Sequence, residues 1–346
     1  MLYRTAVSSA IRAAAAPSRF TAQRHAGLGA RAYSTEKTKS GGNGLLFAAL
    51  AGLGIAGGIY YNSSSQSAVK QPAGAAAAVV AEEPKHAFDP KEFKAFKLKE
   101  VQPINHNTSV FRFELPEDSV SGLHVASCVI TRYPITKKDG SPGYIIRPYT
   151  PTSDERAKGY VDFVIKNYPE GKMSKHIHQL KVGDELEIKG PIPKLNWEEN
   201  KFDHVGLIAG GTGITPMLQI IRRVFQQSEG RDKTKITLVF ANQTEEDILL
   251  RDELDNYAKK HPDQIKVFYL LDRPSEKWDG GQGFVSEKIV KELMPGPNEP
   301  KTLVGVCGPD KMLELIAGPK AKDKSQGELG GILKELGYTS EHVYKF

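Results

Sequence analysis

Near residue 200 the hydrophobic pattern of this 346-residue chain changes period, and no other feature constrains the fold as much. Before that point, "FKAFKLKEV" (93–101), "TSVFRFEL" (108–115), "CVITRY" (128–133), "YIIRPYT" (144–150), "YVDFVIKNY" (160–168) and "DELEIKG" (184–190) are short segments, several of them alternating, separated by Pro, Gly, Asn and Asp. Half-buried strands at that spacing predict a small antiparallel barrel or sandwich. After it, "HVGLIAG" (204–210), "KITLVFA" (235–241), "IKVFYLL" (265–271) and "TLVGVCG" (302–308) are nearly continuous apolar runs, followed by helical stretches such as "PMLQIIRRVFQQ". Strands buried on both faces and alternating with helices predict a doubly wound parallel sheet. The expected fold class is therefore β + α/β, with an antiparallel β domain over 88–200 and an α/β domain over 201–346.

Each domain carries loops suited to phosphate. In the second, "GGTGITP" (210–216) follows the first apolar strand, and it departs from the dinucleotide pattern G-x-G-x-x-G because Pro216 stands where the last glycine would be. Thr215 is expected to cap a helix that Pro216 opens, at a position where a missing N–H costs nothing. Gly211, Thr212 and Gly213 let the backbone turn tightly and approach an anion at the positive end of that helix. Such a turn is often only structural. A second one, Cys307, Gly308 and Pro309, ends another apolar strand, and two strand ends opening on one sheet edge form a crevice of the kind that binds ligands. Asp272 closes "IKVFYLLD", where a carboxylate would accept from a ribose 2′-hydroxyl and repel a 2′-phosphate; the adjacent Arg273 would act the other way if turned inward.

In the first domain, Arg147 of "RPYTP" (147–151) offers a guanidinium fork suited to phosphate, with Pro148, Tyr149 and Thr150 following it. "GKMSKHIHQL" (171–180) reads as a loop entering a short helix, with Ser174 as its cap and exposed N–H groups beside Lys172. An edge strand ended by proline and an ordinary capped helix are the plain alternatives for each motif alone. Together, beside a nucleotide-type domain, they point to two phosphorylated cofactors meeting at an interface.

The charge lies in one place. Residues 1–40 carry seven basic side chains against Glu36, so the formal +6 of the chain sits in this arm and the rest nets zero. No surplus remains for nucleic-acid phosphates, and no nucleic-acid partner is expected. Arginines spaced through Ala and Ser predict a mitochondrial presequence over 1–40, with "RAYS" (31–34) similar to a matrix-peptidase cleavage site. "GLLFAALAGLGIAGGIYY" (44–61) has no charge and, at ~1.5 Å per residue, reaches roughly 27 Å, enough to span a bilayer. A transmembrane anchor over 41–62 and a Ser/Ala/Pro-rich tether over 63–87 follow. The expected location is the mitochondrial outer membrane, with a processed soluble form in the intermembrane space. Two distant cysteines, Cys128 and Cys307, support neither a disulfide framework nor a metal site, and none is expected.

In chain order "RPYTP", "VDFVIK", "GKMS", "GGTGITP", "FANQTEEDILL", "LLDRP", "GQGFVSE" and "CGPDKM" resemble the NADH-cytochrome b5 reductases, members of the ferredoxin reductase-like flavoenzymes, over about residues 90–346. The presequence, span and tether are similar to those of the family's fungal mitochondrial members. The resemblance implies a Greek-key barrel that binds FAD followed by a domain that binds NADH. It implies that Arg147, Pro148, Tyr149, Thr150, Val164 and Lys166 line the flavin, and that Gly171, Lys172, Met173 and Ser174 hold its pyrophosphate. Thr215 would lie near the flavin ring, Gly211, Thr212 and Gly213 would shape the nicotinamide side with Pro216 opening the helix, and Cys307, Gly308 and Pro309 would complete it. Thr150 would donate near the flavin N5. Lys166 would bring positive charge near the reacting centre or the NADH phosphates; as a residue of an alternating strand it reads equally as a solvated lysine. Cys307 is expected to pack beside the nicotinamide and not to act as a nucleophile.

The implied reaction passes a hydride from NADH to FAD and then single electrons to a haem protein such as cytochrome b5, with the cofactors carrying the chemistry. Two stretches depart from the family pattern. "HVASCVITRY" (124–133) replaces the Gly-Gln-His-like strand of many relatives, so no ligand contact is assigned to it, and the loop at 167–170 lacks the long insertion of others. A related membrane-anchored NAD(P)H flavin reductase serving an iron–sulfur or oxygenase partner would share every motif. A binding-only tether would hold no flavin, and a short-chain dehydrogenase would need a Tyr-x-x-x-Lys pair where Tyr257 and Lys260 are three apart. A monomer is expected.

Overall fold

The computed structural model describes residues 84–346. The expected presequence and span, and all but the last four residues of the expected tether, lie outside them. No helix among the described residues is long and apolar enough to cross a membrane.

The first lobe contains β1 (Lys85–His86), β2 (Lys94–Asn105), β3 (Thr108–Glu114), β4 (Ser119–Val120), β5 (Ser127–Thr136), β6 (Pro142–Tyr149), β7 (Tyr160–Lys166), α1 (Lys172–Gln179) and β8 (Glu185–Pro193). Six strands form one antiparallel sheet in the order β6-β5-β8-β2-β3-β7, and β1 pairs with β4 in a separate parallel pair. The expected barrel is not closed by hydrogen bonds: no ladder joins β6 to β7 among the described residues, and α1 lies beside β6. Alternation decides which side faces in. Phe111 and Phe113 of β3 pair in register with Phe163 and Val161 of β7, all four essentially inaccessible, and Phe113 meets Phe163 edge to face at 5.9 Å. The intervening positions turn outward, where Arg112 grips Asp162 through two 2.8 Å hydrogen bonds and covers Tyr160.

The second lobe contains β9 (His204–Gly210), α2 (Ile214–Arg222), β10 (Lys235–Asn242), α3 (Arg251–Lys260), β11 (Ile265–Leu271), β12 (Gly281–Gln282), α4 (Glu287–Leu293), β13 (Thr302–Cys307), α5 (Asp310–Ala317), α6 (Gly331–Glu335) and β14 (Val343–Lys345). All six strands are parallel, in the order β12-β11-β10-β9-β13-β14. Continuous apolar runs are what a sheet covered on both faces needs. Leu207, Leu238 and Phe240 face one core with α2 and α3, while Ile208, Val239, Val304 and Val306 face the other with α4, α5 and α6. The order reverses at β9, the central strand, so the turns after β9 and β13 open side by side at the switch point.

The chain crosses between lobes once, over 194–203, where the Trp197 indole donates to Asp232 at 3.0 Å. Ala126 and Val164 of the first lobe share a buried cluster with Ile214 and Met217 of α2, so the lobes are joined by packed apolar surface as well as by the connection.

Candidate active site

On the first lobe, β6 delivers Arg147 and Pro148 to an exposed edge and leaves Tyr149 half-buried, its phenol raised by burial. The end of β6 is fixed when Thr131 Oγ1 donates to the Arg147 carbonyl at 3.0 Å. After Thr150 the chain is laid against β7, the Thr152 amide donating to the Asp162 carbonyl at 2.8 Å. α1 begins one turn earlier than a Ser174 cap requires. Its N-cap is Gly171, and Ser174 lies inside the first turn, accepting from the Tyr168 amide at 3.2 Å and donating to the Gly171 carbonyl at 3.1 Å. Ser174 is spent on closing the 168–171 turn, and its hydroxyl occupies the space beside Gly171, where an added Cβ would come within 2.3 Å of it. No side chain caps the first amides of α1, which are therefore free for an anion beside the exposed Lys172.

On the second lobe, Gly211 has φ +54 with nothing within 4 Å of a would-be Cβ, and residues 211–213 form a 3₁₀ turn that runs directly into α2 at Ile214. The chain is already helical before Thr215, so Thr215 is not the cap and Pro216 is not the first residue. Both are buried in the first turn, Thr215 Oγ1 donating to the Thr212 carbonyl at 3.1 Å. Proline is tolerated there because the first N–H groups of a helix have no intrahelical acceptor. Cys307 sits opposite Ala209 in the β9–β13 ladder, and the turn packs so closely that a Cβ at Gly213 would lie 2.2 Å from the Cys307 carbonyl oxygen. Gly308 and Pro309 lead from there into α5. Burial pushes the Cys307 thiol up to about 12, with Lys320 as the weaker opposing influence. A thiol raised this far stays protonated near neutral pH, so Cys307→Ser should show the same pH profile of activity as the unmutated protein between about pH 6 and 9. A titration step lost in the variant would restore Cys307 as an acid–base or nucleophilic group.

The two halves meet at one seam. Lys166 is not the solvated lysine that an alternating strand also allowed: it makes a 2.9 Å ion pair with Asp247 of the second lobe, and the two side chains are 16% and 4% exposed. Tyr168, from the short loop after β7, brings its hydroxyl to 3.1 Å from Thr212 Oγ1, and Asn105 donates to the Glu246 carbonyl at 2.9 Å. Val164 and Met173 turn their side chains into the cores, 5% and 2% exposed, so the backbone is what these two positions offer a ligand. Asp272 and Arg273 are both exposed at the end of β11, Arg273 donating to Gln243 at 3.0 Å.

Four residues stand out that the motifs did not single out. Phe284 is 72% exposed in the Gly-rich turn after β12, beside the Asp272 strand end; a lone aromatic between glycine and valine in "GQGFVSE" was its signal. Asn242, at the buried end of β10, has neither amide atom partnered. Tyr168 touches Thr212, as above. Tyr133, in the divergent strand, stacks on His176 of α1 at 3.9 Å and donates to the Lys172 carbonyl at 3.3 Å, so that strand holds α1 in place.

The residues present fit a dinucleotide and a flavin nucleotide: an open glycine turn, an uncapped helix start, an orphaned amide at the buried end of β10 and an exposed aromatic in the turn after β12. An antiparallel lobe and a parallel nucleotide lobe joined at such a seam define the class of FAD- and NAD-binding oxidoreductases. Family models agree, "Oxidoreductase FAD-binding domain" matching residues 95–197 and "Oxidoreductase NAD-binding domain" residues 207–317. "NADH-cytochrome b5 reductase 2" of Botryotinia fuckeliana is 47% identical over 91% of this chain and 95% of its own length, and that of Emericella nidulans is 46% identical over 92% and 95%. Among solved structures, the cytochrome b5 reductase domain of Ulva prolifera nitrate reductase is 32% identical with a TM-score of 0.65, covering 75% of this chain and 99% of that one. The CS-b5R domains of human Ncb5or, in the NAD+ form, are 26% identical with a TM-score of 0.59, covering 74% and 69%. The chain belongs to the NADH-cytochrome b5 reductase family.

Proposed function

We propose that this protein takes a hydride from NADH onto FAD and releases electrons singly to a haem acceptor such as cytochrome b5. The observation that carries the proposal is the seam itself: the uncapped start of α1 and the glycine turn before α2 belong to different lobes, yet Tyr168 and Thr212 from their flanks touch at 3.1 Å. Two anion-favouring backbone sites this close support cofactors lying edge to edge. Bound FAD supplies hydride acceptance and one-electron release. Arg147, Lys172 and the first amides of α1 hold the flavin's diphosphate in this reading, while Pro148, Tyr149 and Thr150 line the ring, with Thr150 donating near its N5. Gly211, Thr212 and Gly213 admit the nicotinamide, with Thr215, Pro216 and the Cys307–Pro309 turn forming the wall behind it. The Lys166–Asp247 pair fixes the gap between lobes.

The nucleotide's far end meets Asp272 and Phe284, the carboxylate accepting from the ribose and the ring stacking on the base. Asp272→Thr should lower the ratio of kcat/KM for NADH over NADPH by roughly 10–100-fold, the worth of a charge-assisted hydrogen bond and of repulsion toward a 2′-phosphate. Equal use of both nucleotides by the unmutated protein would refute the assignment.

The purified protein is expected to be yellow and to bleach on addition of NADH. A haem acceptor should then be reduced in preference to a ferredoxin; the reverse order would favour an iron–sulfur or oxygenase partner. The sequence of residues 1–87 supports attachment to the mitochondrial outer membrane through 44–61, with a cleaved form in the intermembrane space, and the catalytic unit is proposed to act as a monomer. Fractionation of mitochondria with alkaline extraction, and sedimentation of the soluble form, test these two points.

A further inference from the structure

Helix α2 touches both halves of the site. Its first turn carries the residues around the glycine turn, and its last turn reaches into the first lobe. Gln219 spends both ends of its amide there, donating to the Pro151 carbonyl at 3.3 Å and accepting from the Ser127 amide at 3.0 Å. Three residues on, and so on the same face of the helix, Arg222 donates to the Thr152 carbonyl. The rest of the Arg222 guanidinium is held by Glu253 of α3 through contacts of 2.7 and 2.8 Å, and the Glu253 carboxylate in turn accepts from the Tyr257 hydroxyl at 3.4 Å. Both Arg222 and Glu253 are largely withdrawn from solvent, with side chains 20% and 27% exposed. Pro151 and Thr152 are the two residues directly after Thr150.

On the hydride-transfer reading above, we propose that Gln219 and Arg222 are positioning residues that set the distance between the two cofactors. A helix of nine residues is a strut of about 13 Å. One end of it is continuous with the turn that admits the nicotinamide, and the other clamps the carbonyls immediately behind the flavin-lining threonine. The clamp is made to main chain and not to side chains, so it fixes where the 150–152 segment lies whatever residues it carries. Ser127, the third atom held, opens β5, the strand that pairs with β6, so Gln219 ties the helix to both sides of the flavin edge. Neither residue lies at the glycine turn itself. Their effect is on geometry, and a displacement of ~1 Å between reacting atoms costs on the order of a hundredfold in rate.

The test uses the full chain carrying its flavin. Gln219→Leu removes both hydrogen bonds at similar volume, and Arg222→Lys keeps the charge beside Glu253 but cannot serve Glu253 and the Thr152 carbonyl together. Rapid mixing with NADH should show flavin bleaching at saturating nucleotide slowed roughly 10–100-fold in each variant. The NADH dissociation constant and the flavin content should stay within about twofold, and the isotope effect with 4-deuterated NADH should rise on turnover. Gln219→Glu, which retains the acceptor for Ser127, should fall between the leucine variant and the unmutated protein, and provides the same reading if the leucine variant does not fold. Bleaching within twofold of the unmutated rate in folded variants that merely melt earlier would overturn the inference, leaving the contacts as a brace between lobes. Failure of the underlying reading looks different: the unmutated protein itself would be colourless or would not bleach.

Discussion

Gly213→Ala is expected to be severely damaging although it adds a single methyl group. The position has an ordinary φ of −62, so the backbone conformation itself would not strain an alanine. Space decides otherwise. The added carbon would lie 2.2 Å from the Cys307 oxygen, 2.6 Å from its carbonyl carbon and 3.0 Å from the Gly308 nitrogen. All three are main-chain atoms at the end of a central strand, with no rotamer to change. The start of α2 must back away from β13, and forced overpacking of this kind costs on the order of 3 kcal/mol, lowering Tm by roughly 10 °C in a domain pair of this size. The same retreat opens the wall proposed to lie behind the nicotinamide, so NADH-driven flavin bleaching should fall at least about 100-fold. Two neighbours serve as controls. Gly211→Ala meets open space and pays only for its left-handed φ of +54, roughly 1 kcal/mol. Gly210→Ala meets chiefly the sulfur of Met312 at 2.5 Å, the far end of a flexible side chain, and should be milder than Gly213→Ala. A Gly213→Ala protein that melts and bleaches normally would show that the two turns do not abut as described.

The second large effect is expected at the Lys166–Asp247 pair. Asp247 is 4% exposed at its side chain. Burial alone would raise its carboxyl, but the Lys166 ammonium and the Thr244 hydroxyl and amide outweigh it and hold the group below the ordinary aspartate range. A carboxyl lowered on folding contributes stability that is complete above its unfolded value and is lost as pH falls through the folded one. Asp247→Asn, which strands the Lys166 charge in a nearly dry seam, should therefore be less stable by about 3 kcal/mol at neutral pH. The gap from the unmutated protein should be full above about pH 5 and close as the pH drops below about 4. Denaturant titrations across that range check both the size and the sign. A gap that is flat with pH, or that widens in acid, would mean that the carboxylate does not carry this contact.

These two sites divide what a sequence can show from what it cannot. The six long strands of the first lobe were legible because alternation is a local property: Phe111 and Phe113 announce their inward face whatever pairs with them. The four long parallel strands were legible for the complementary reason that they have no polar face at all. Strands β12 and β14, two and three residues long, carry no period to read and owe their existence to the sheet edges beside them. The phosphate-type turns were placed correctly along the chain, but their caps were not. A threonine before a proline is a strong local signal for a helix start, and it lost to Gly211–Gly213, which had already bent the chain into helix. Lys166 and Asp247 are 81 residues apart, and no local pattern marks either as the other's partner. Tyr133 and Phe284 matter through what the fold lays beside them, a helix in one case and open solvent in the other.

Because the backbone passes from one lobe to the other a single time, a genetic splice near residue 200 would transplant an entire flavin half or an entire nucleotide half. Such hybrids should each build two well-formed halves and still couple poorly. The parts that register one half against the other are scattered on both sides of the cut: Lys166 with Asp247, Tyr168 with Thr212, and Gln219 and Arg222 with the 151–152 main chain. Exchanging acceptors or nucleotides between relatives by swapping halves therefore amounts to regrafting a handful of mating side chains, and the join in the polypeptide is the easy part.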